Sequence, residues 1–211
     1  MARRQLKEII EILLSPMNTK SLLATLSAVL VAKLSAFGII DLGSAGQTPY
    51  DRFMSPVKQV LSTLDNDKAP MERAQKLMRI GRGFRYSYTD PYNPATPAVT
   101  ASTRAGDCKA KSLWLVDQLG DASVRYVIGK AKRSSKISHA WVMWQHEGRW
   151  WILDCTNTSR PIAADSVSKN EYIPLYSYDR SGSYRHAGLR GMTAEAVATK
   201  KNSPVAAQDR R

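Results

Sequence analysis

The sequence is poor in the residues that build metal centres and disulfide scaffolds. Its 211 residues hold two cysteines and three histidines. Two thiols are too few for a disulfide framework or a Cys-rich zinc site, and three imidazoles narrow the metal options further. No cofactor is expected. Acidic residues are also scarce, with 18 Asp and Glu against 31 Lys and Arg and a formal charge of +13. That excess speaks to partners rather than to fold. The basic residues are dispersed, and no helix-turn-helix, zinc-finger or RNA-recognition signature accompanies them, so nucleic acid is not expected as a partner. No internal repeat is present. What is left, at 43% hydrophobic and 23% charged, is the composition of a globular protein, at a length that suits one domain with appendages.

Residues 1–46 read as the first appendage. Arg3, Arg4, Lys7 and Lys20 precede an apolar run over Ser21–Ala32, which Lys33 interrupts and which resumes to Ile40. Small residues follow at Gly43, Ser44 and Ala45. This order resembles a secretory signal cleaved after Ala45. Residues 21–40 also match the ~20 positions that span a bilayer. Lys33 near the centre of such a span would cost ~2.5–3.5 kcal/mol. A soluble amphipathic hairpin is the third reading. The first two imply an exported or membrane-anchored, extracytoplasmic protein, with attachment through this segment; the third leaves it cytoplasmic. Residues 47–186 form the main domain, and 187–211 read as a basic flexible tail.

Within the domain, Val57–Leu64 and Met71–Ile80 carry apolar residues at helical spacing. Residues 86–105 are rich in Pro, Ser and Thr and read as a long loop, which in a compact domain is more often functional than not. Asp107 through Leu119 reads as a helix with Asp107 as N-cap and Gly120 as stop. Three strand patterns follow at Ser123–Gly129, Ser138–Gln145 and Arg149–Cys155. Glu147–Gly148 joins the last two as a hairpin turn.

Cys108 stands at the start of the predicted helix, where unpaired N–H groups and the helix dipole favour the thiolate, the reactive species. A nucleophilic thiolate needs a proton carrier, and His139 lies in the middle strand. If Glu147–Gly148 is a two-residue turn, His146 faces Arg149, Trp141 faces Asp154 and His139 faces Thr156. His139 and Asp154 then share one face as diagonal neighbours, while Cys155 points the other way. A three-residue turn would separate them. A Cys-bearing helix packed on that hairpin completes a nucleophile, base and orienter set.

The segments GDCKAKSLWLVDQLG, SHAW and RWWILDCTN resemble the core motifs of the transglutaminase-like superfamily of papain-fold cysteine enzymes. The chain is most similar there to the bacterial transglutaminase-like cysteine proteinases. The resemblance implies an α+β fold with a papain-like core, a Cys108–His139–Asp154 triad, and hydrolysis or transfer at an amide or thioester acyl group. Bacterial proteinase members commonly follow the Cys with acidic residues. Here Lys109 and Lys111 stand instead, which argues against calcium at this position.

The function expected is a cysteine hydrolase, a peptidase or amidase working through a thioacyl-enzyme, on a protein or peptide substrate that the basic charge could make acidic. The alternative is a catalytically inactive module of the same fold that recruits an acidic partner or an anionic membrane surface. Cys155 reads as a buried structural thiol, and His146 and His186 as surface residues. The five tryptophans read mainly as packing. The Cys108 amide is a natural oxyanion donor. Tyr86, Tyr88 and Tyr92 are candidates for the second. Lys109 and Lys111 are expected at a basic cleft rim beside the nucleophile.

Overall fold

A computed structural model describes residues 39–41, 47–90 and 92–186. The segment read as signal, anchor or hairpin lies outside these apart from its last residues, as does the tail from 187. Among the described residues, no helix is long and apolar enough to cross a membrane.

Two helices open the domain where the apolar spacing places them: α1 (Ser55–Ser62) and α2 (Met71–Arg82). Pro56 starts α1 at a position where no backbone N–H is needed. Each helix buries one stripe, Val57 and Leu61 from α1 and Ala74, Leu77 and Met78 from α2. The stretch expected as loop is more ordered than its composition suggests. Strand β2 (Arg85–Tyr86) pairs parallel with β3 (Ala105–Gly106), and α3 (Pro97–Thr103) forms between them. Here Thr96 and Pro97 act as a helix start, the Thr96 hydroxyl accepting from the Val99 amide.

Helix α4 (Cys108–Leu119) begins and ends as its caps dictate. The Asp107 carboxylate accepts from the amides of Lys109 and Ala110, and Gly120 takes the left-handed conformation at φ 71°. Nearly the whole helix is buried, including Leu113, Trp114, Leu115 and Val116. It is therefore a central helix, covered on more than one side, rather than a surface helix with one apolar stripe.

The strands are β4 (Val124–Lys132), β5 (His139–His146), β6 (Arg149–Leu153), β7 (Ile162–Ala163), β8 (Glu171–Tyr178) and β9 (Ser183–His186). With β1 (Ile39–Asp41) they make a seven-stranded sheet in the order β1-β9-β8-β4-β5-β6-β7, every neighbouring pair antiparallel. Residues 39–41 thus join the sheet edge from ahead of position 47. The fold is α+β, with the Cys-bearing helix packed on an antiparallel sheet.

The β5–β6 register is the one a two-residue turn requires. His146 faces Arg149 and Val142 faces Leu153. Glu147 and Gly148 both have positive φ, 50° and 74°, as a type I′ turn demands. Strand β8 carries Pro174, a residue that argues against a central strand by pattern alone. It is tolerated because the β4–β8 register shifts between Ile128 and Gly129, with Pro174 opposite Gly129. A Cβ on Gly129 would lie 2.1 Å from the Ile173 carbonyl oxygen, so glycine alone lets β8 approach.

Both faces of the central strands are covered. Val124, Tyr126, Ile128, Ala140, Val142 and Trp144 pack with the helices in the main core. Val127, Trp141, Met143 and Ile152 form a smaller core on the opposite face, against Ala164, Ile162 and Tyr172. Asp121 locks the helical layer to the sheet by accepting from the Ala69 amide at 3.1 Å, the Ser123 amide at 2.8 Å and the Trp144 indole at 2.8 Å.

Candidate active site

Cys108 is the first residue of α4 and is buried, and the helix is fixed to the sheet by Ser112, whose hydroxyl donates to the Ala140 carbonyl at 3.1 Å. His139 is the first residue of β5, next to that contact. Its Nε2 lies 2.8 Å from Asp154 Oδ2, with the side chains 12% and 1% exposed. Asp154 follows the last residue of β6, at the diagonal position that the turn geometry predicts. The structure therefore brings His139 and Asp154 together.

The carboxylate is held from several sides. Its Oδ1 accepts from the amides of Thr156 at 3.1 Å and Asn157 at 3.3 Å. Its Oδ2 accepts from Asn157 Nδ2 at 2.8 Å and from the Tyr172 hydroxyl at 3.0 Å. Burial opposes the charge on Asp154, but His139, Asn157 and Tyr172 outweigh it and hold the carboxyl below its usual range. Burial likewise pushes the His139 imidazole down. Asp154 and the Cys108 sulfur more than reverse that, raising it from 6.5 to about 10. The ring is therefore charged at neutral pH. The Trp141 ring stacks on it at 6.1 Å between centroids, and Tyr172 meets Trp141 edge-on at 5.5 Å.

Asn157 and Tyr172 have no place in the sequence-derived site. The turn signal for Asn157 was within reach, because an Asp followed by an Asn three residues on forms a side-chain-capped turn. Nothing in the sequence points to Tyr172. It sits on β8 with φ 47°, a left-handed conformation that costs a bulky residue ~1–3 kcal/mol.

The lysines beside the nucleophile are not at a rim. Lys109 is 3% exposed and Lys111 1%. The Lys109 ammonium pairs with the Asp107 carboxylate and donates to the Thr89 carbonyl at 3.0 Å. It also lies over the rings of Tyr88 at 5.1 Å and Tyr92 at 5.0 Å. Thr89 in turn donates from its amide and hydroxyl to Asp107 Oδ2. An internal cation thus ties the 88–92 segment to the N-terminus of α4. Among the described residues, no group of three or more His, Cys, Asp or Glu gathers to hold a metal ion. The cation beside Asp107 is an ammonium.

Burial, then the charge of Cys108, raises the Tyr86 hydroxyl, and burial with Cys108 among further causes raises that of Tyr92. The β2–β3 pairing sets Tyr86 opposite Gly106, two residues ahead of Cys108. Tyr88 instead faces Lys109. Cys155 is 1% exposed, and burial pushes its thiol up to about 12. It is unpaired, as is Cys108. His146 stacks on Trp144 at 4.3 Å near the hairpin tip. His186, expected at the surface, is buried at 5% exposure beside the Ser177 hydroxyl. The β9 strand that buries it was not anticipated from the sequence.

No family model matches the chain, and no curated protein matches it. Among solved structures the chain is similar to Legionella pneumophila LapG. The calcium-bound form is 16% identical with a TM-score of 0.47, over 76% of this chain and 93% of that one. Another LapG structure is 16% identical with a TM-score of 0.46, over 67% of this chain and 82% of that one. A Cytophaga hutchinsonii protein described as a cysteine protease is 14% identical with a TM-score of 0.34, over 70% and 69% of the two chains.

Proposed function

We propose that the chain is a cysteine hydrolase acting on amide bonds of a protein or peptide, with Cys108 as nucleophile, His139 as acid and base, and Asp154 as the orienting carboxylate. The observation that carries this reading is the half-buried His139–Asp154 contact at 2.8 Å, in a fold that also places a cysteine at a helix N-terminus. In the proposed reaction Cys108 attacks as the thiolate, the nucleophilic form of a thiol, while His139, raised to about 10, holds the proton that the leaving amine needs. The sulfur attacks the carbonyl carbon and forms a C–S bond. The C–N bond breaks as His139 gives its proton to the leaving amine. The neutral imidazole then takes a proton from water, whose oxygen attacks the thioester. That step releases the carboxylic acid product and returns the thiolate. Asp154 keeps the ring oriented and stabilises its charge throughout. The Cys108 amide is one oxyanion donor and the Tyr86 hydroxyl the second.

Iodoacetamide labelling with mass mapping, run beside a fluorogenic peptide-amide assay, tests the reading. Cys108 should label faster than a free cysteine at neutral pH, and Cys108→Ala should abolish hydrolysis. Cys155, buried and with its thiol pushed up, is the internal control. Labelling of Cys108 no faster than free cysteine, with hydrolysis unchanged in Cys108→Ala, would overturn it. Transfer of the acyl group to a lysine amine uses the same residues; added amine acceptors, followed by product mass, separate transfer from hydrolysis.

A further inference from the structure

An open hollow adjoins the side chains that hold Asp154. Its lining includes Asn157 and Tyr172, the two side chains bonded to Asp154 Oδ2, together with Lys132, Ser134, Ser135 and Glu171. It runs on into a second hollow that shares Lys132, Ser134 and Glu171 and adds Arg133, Ser168 and Asn170. One wall is the end of β4 and the start of the loop after it, where Lys132 and Arg133 are exposed; Lys136, also exposed, lies further along the same loop. None of the three has a carboxylate partner within salt-bridge distance among the described residues.

The loop is built rather than slack. The Ser135 amide donates to the Lys132 carbonyl at 2.9 Å and its hydroxyl to the Ile137 carbonyl at 2.9 Å. The Arg133 amide donates to the Asn170 carbonyl at 2.7 Å. Its Nε donates to Asn170 Oδ1 at 2.8 Å. One edge of the guanidinium is thereby fixed, and the terminal nitrogens are left for an outside acceptor. A guanidinium already held in place loses less freedom when it binds a carboxylate. Ile137, 76% exposed, stands two residues before His139 and offers apolar contact to a chain passing the nucleophile. The one carboxylate in the lining is Glu171, opposite Lys132 in register and without an ion pair.

We propose that this hollow is the acidic-side-chain subsite of the hydrolase, selecting polypeptide substrates with Asp or Glu a few residues from the scissile bond on the flank that passes His139, through Arg133, Lys132 and Lys136. The assignment rests on the reading of Cys108, His139 and Asp154 as a hydrolytic centre. A protein chain suits the surface better than a lipid headgroup, because Lys132 lines a hollow together with Asn157 and Tyr172, the side chains bonded to Asp154 Oδ2.

The test is cleavage of a mixed peptide library by the full chain, with cut sites mapped by mass spectrometry, for wild type and for Lys132→Gln/Arg133→Gln/Lys136→Gln. Wild type should enrich Asp and Glu on one flank by about threefold per acidic residue, the size expected of exposed charge pairs. In the triple variant the ratio of acidic to neutral cut sites should fall to near one. In wild type the ratio should also shrink at 0.5–1 M salt, where screening is ~3–4 Å. Cleavage by wild type without acidic enrichment, or enrichment that survives in the variant, overturns the subsite and leaves the hydrolase reading standing. No cleavage by wild type, with Cys108 unreactive to iodoacetamide, overturns both. Sedimentation with phosphatidylglycerol vesicles that the triple variant loses, with an unchanged cleavage pattern, assigns these cations to a membrane surface and also overturns the subsite.

Discussion

Replacing Asp154 by Asn probes the centre with a change of one atom type. His139 is raised from 6.5 to about 10 against the opposing effect of burial. After burial, the Asp154 hydrogen bond is the first of its causes and the Asp154 charge adds to it. An opposite charge at hydrogen-bonding distance moves a titrating group by ~1–3 pH units, each worth ~1.4 kcal/mol. Asp154→Asn should therefore lower the His139 midpoint by ~1–3 pH units. Nitrogen-15 NMR of the imidazoles reads this directly, and three histidines make assignment simple. The alkaline limb of kcat/KM should move down with it, because the imidazolium is the acid that expels the amine. The linkage has a definite sign. A histidine raised in the folded state contributes stability in full below pH 6.5 and loses it progressively as pH rises to about 10. In the variant that loss should be complete at lower pH. A second effect is separable, since the new amide would face the donors of Tyr172 and Asn157. One stranded donor costs ~1–3 kcal/mol at every pH. Wild-type His139 titrating near 6.5, or a midpoint unmoved by the substitution, refutes the reasoning.

Tyr86→Phe removes the proposed second oxyanion donor and should lower kcat by ~10²–10³-fold with little effect on KM or on thermal unfolding; a loss confined to KM would place Tyr86 in substrate binding instead. Lys109→Met strands the buried Asp107 carboxylate and should cost ~3–5 kcal/mol in urea unfolding. Asp107 is lowered by Lys109, Ala110 and Thr89 against burial, so its contribution is present above the ordinary carboxylate range and is lost as pH falls. The variant should accordingly unfold in acid at higher pH than wild type. Gly129→Ala places a methyl 2.1 Å from the Ile173 carbonyl oxygen and 2.7 Å from the Trp141 ring. It should destabilise by at least ~1–3 kcal/mol and slow Cys108 labelling, because β8 carries Tyr172 to the site; wild-type Tm in this variant would show that β8 yields without cost.

What the sequence made legible and what it hid differ in range, and the division runs through the site itself. Asp107, Gly120 and the Glu147–Gly148 turn act over a few residues, and each takes the conformation its chemistry demands. Strand alternation then carries the turn's register outward without loss, which is why a dipeptide at 147–148 locates the His139–Asp154 contact at the far end of the hairpin. Tyr172 reaches the same carboxylate by another route. It depends on β8 pairing with β4 across a register shift, on Gly129 having no side chain, and on a left-handed φ at a tyrosine. None of these leaves a periodic trace, and Pro174 masks the strand. Lys109 misled for the opposite reason. Its charge suggests solvent, yet an Asp two residues away, a carbonyl at Thr89 and two rings provide for an ammonium in the interior. Near the hollow beside Asn157 and Tyr172 the exposed positive charge is instead that of Lys132, Arg133 and Lys136. The net charge that suggested an acidic substrate can be tied to a place only through the packing that removes Lys109 and Lys111 from the surface.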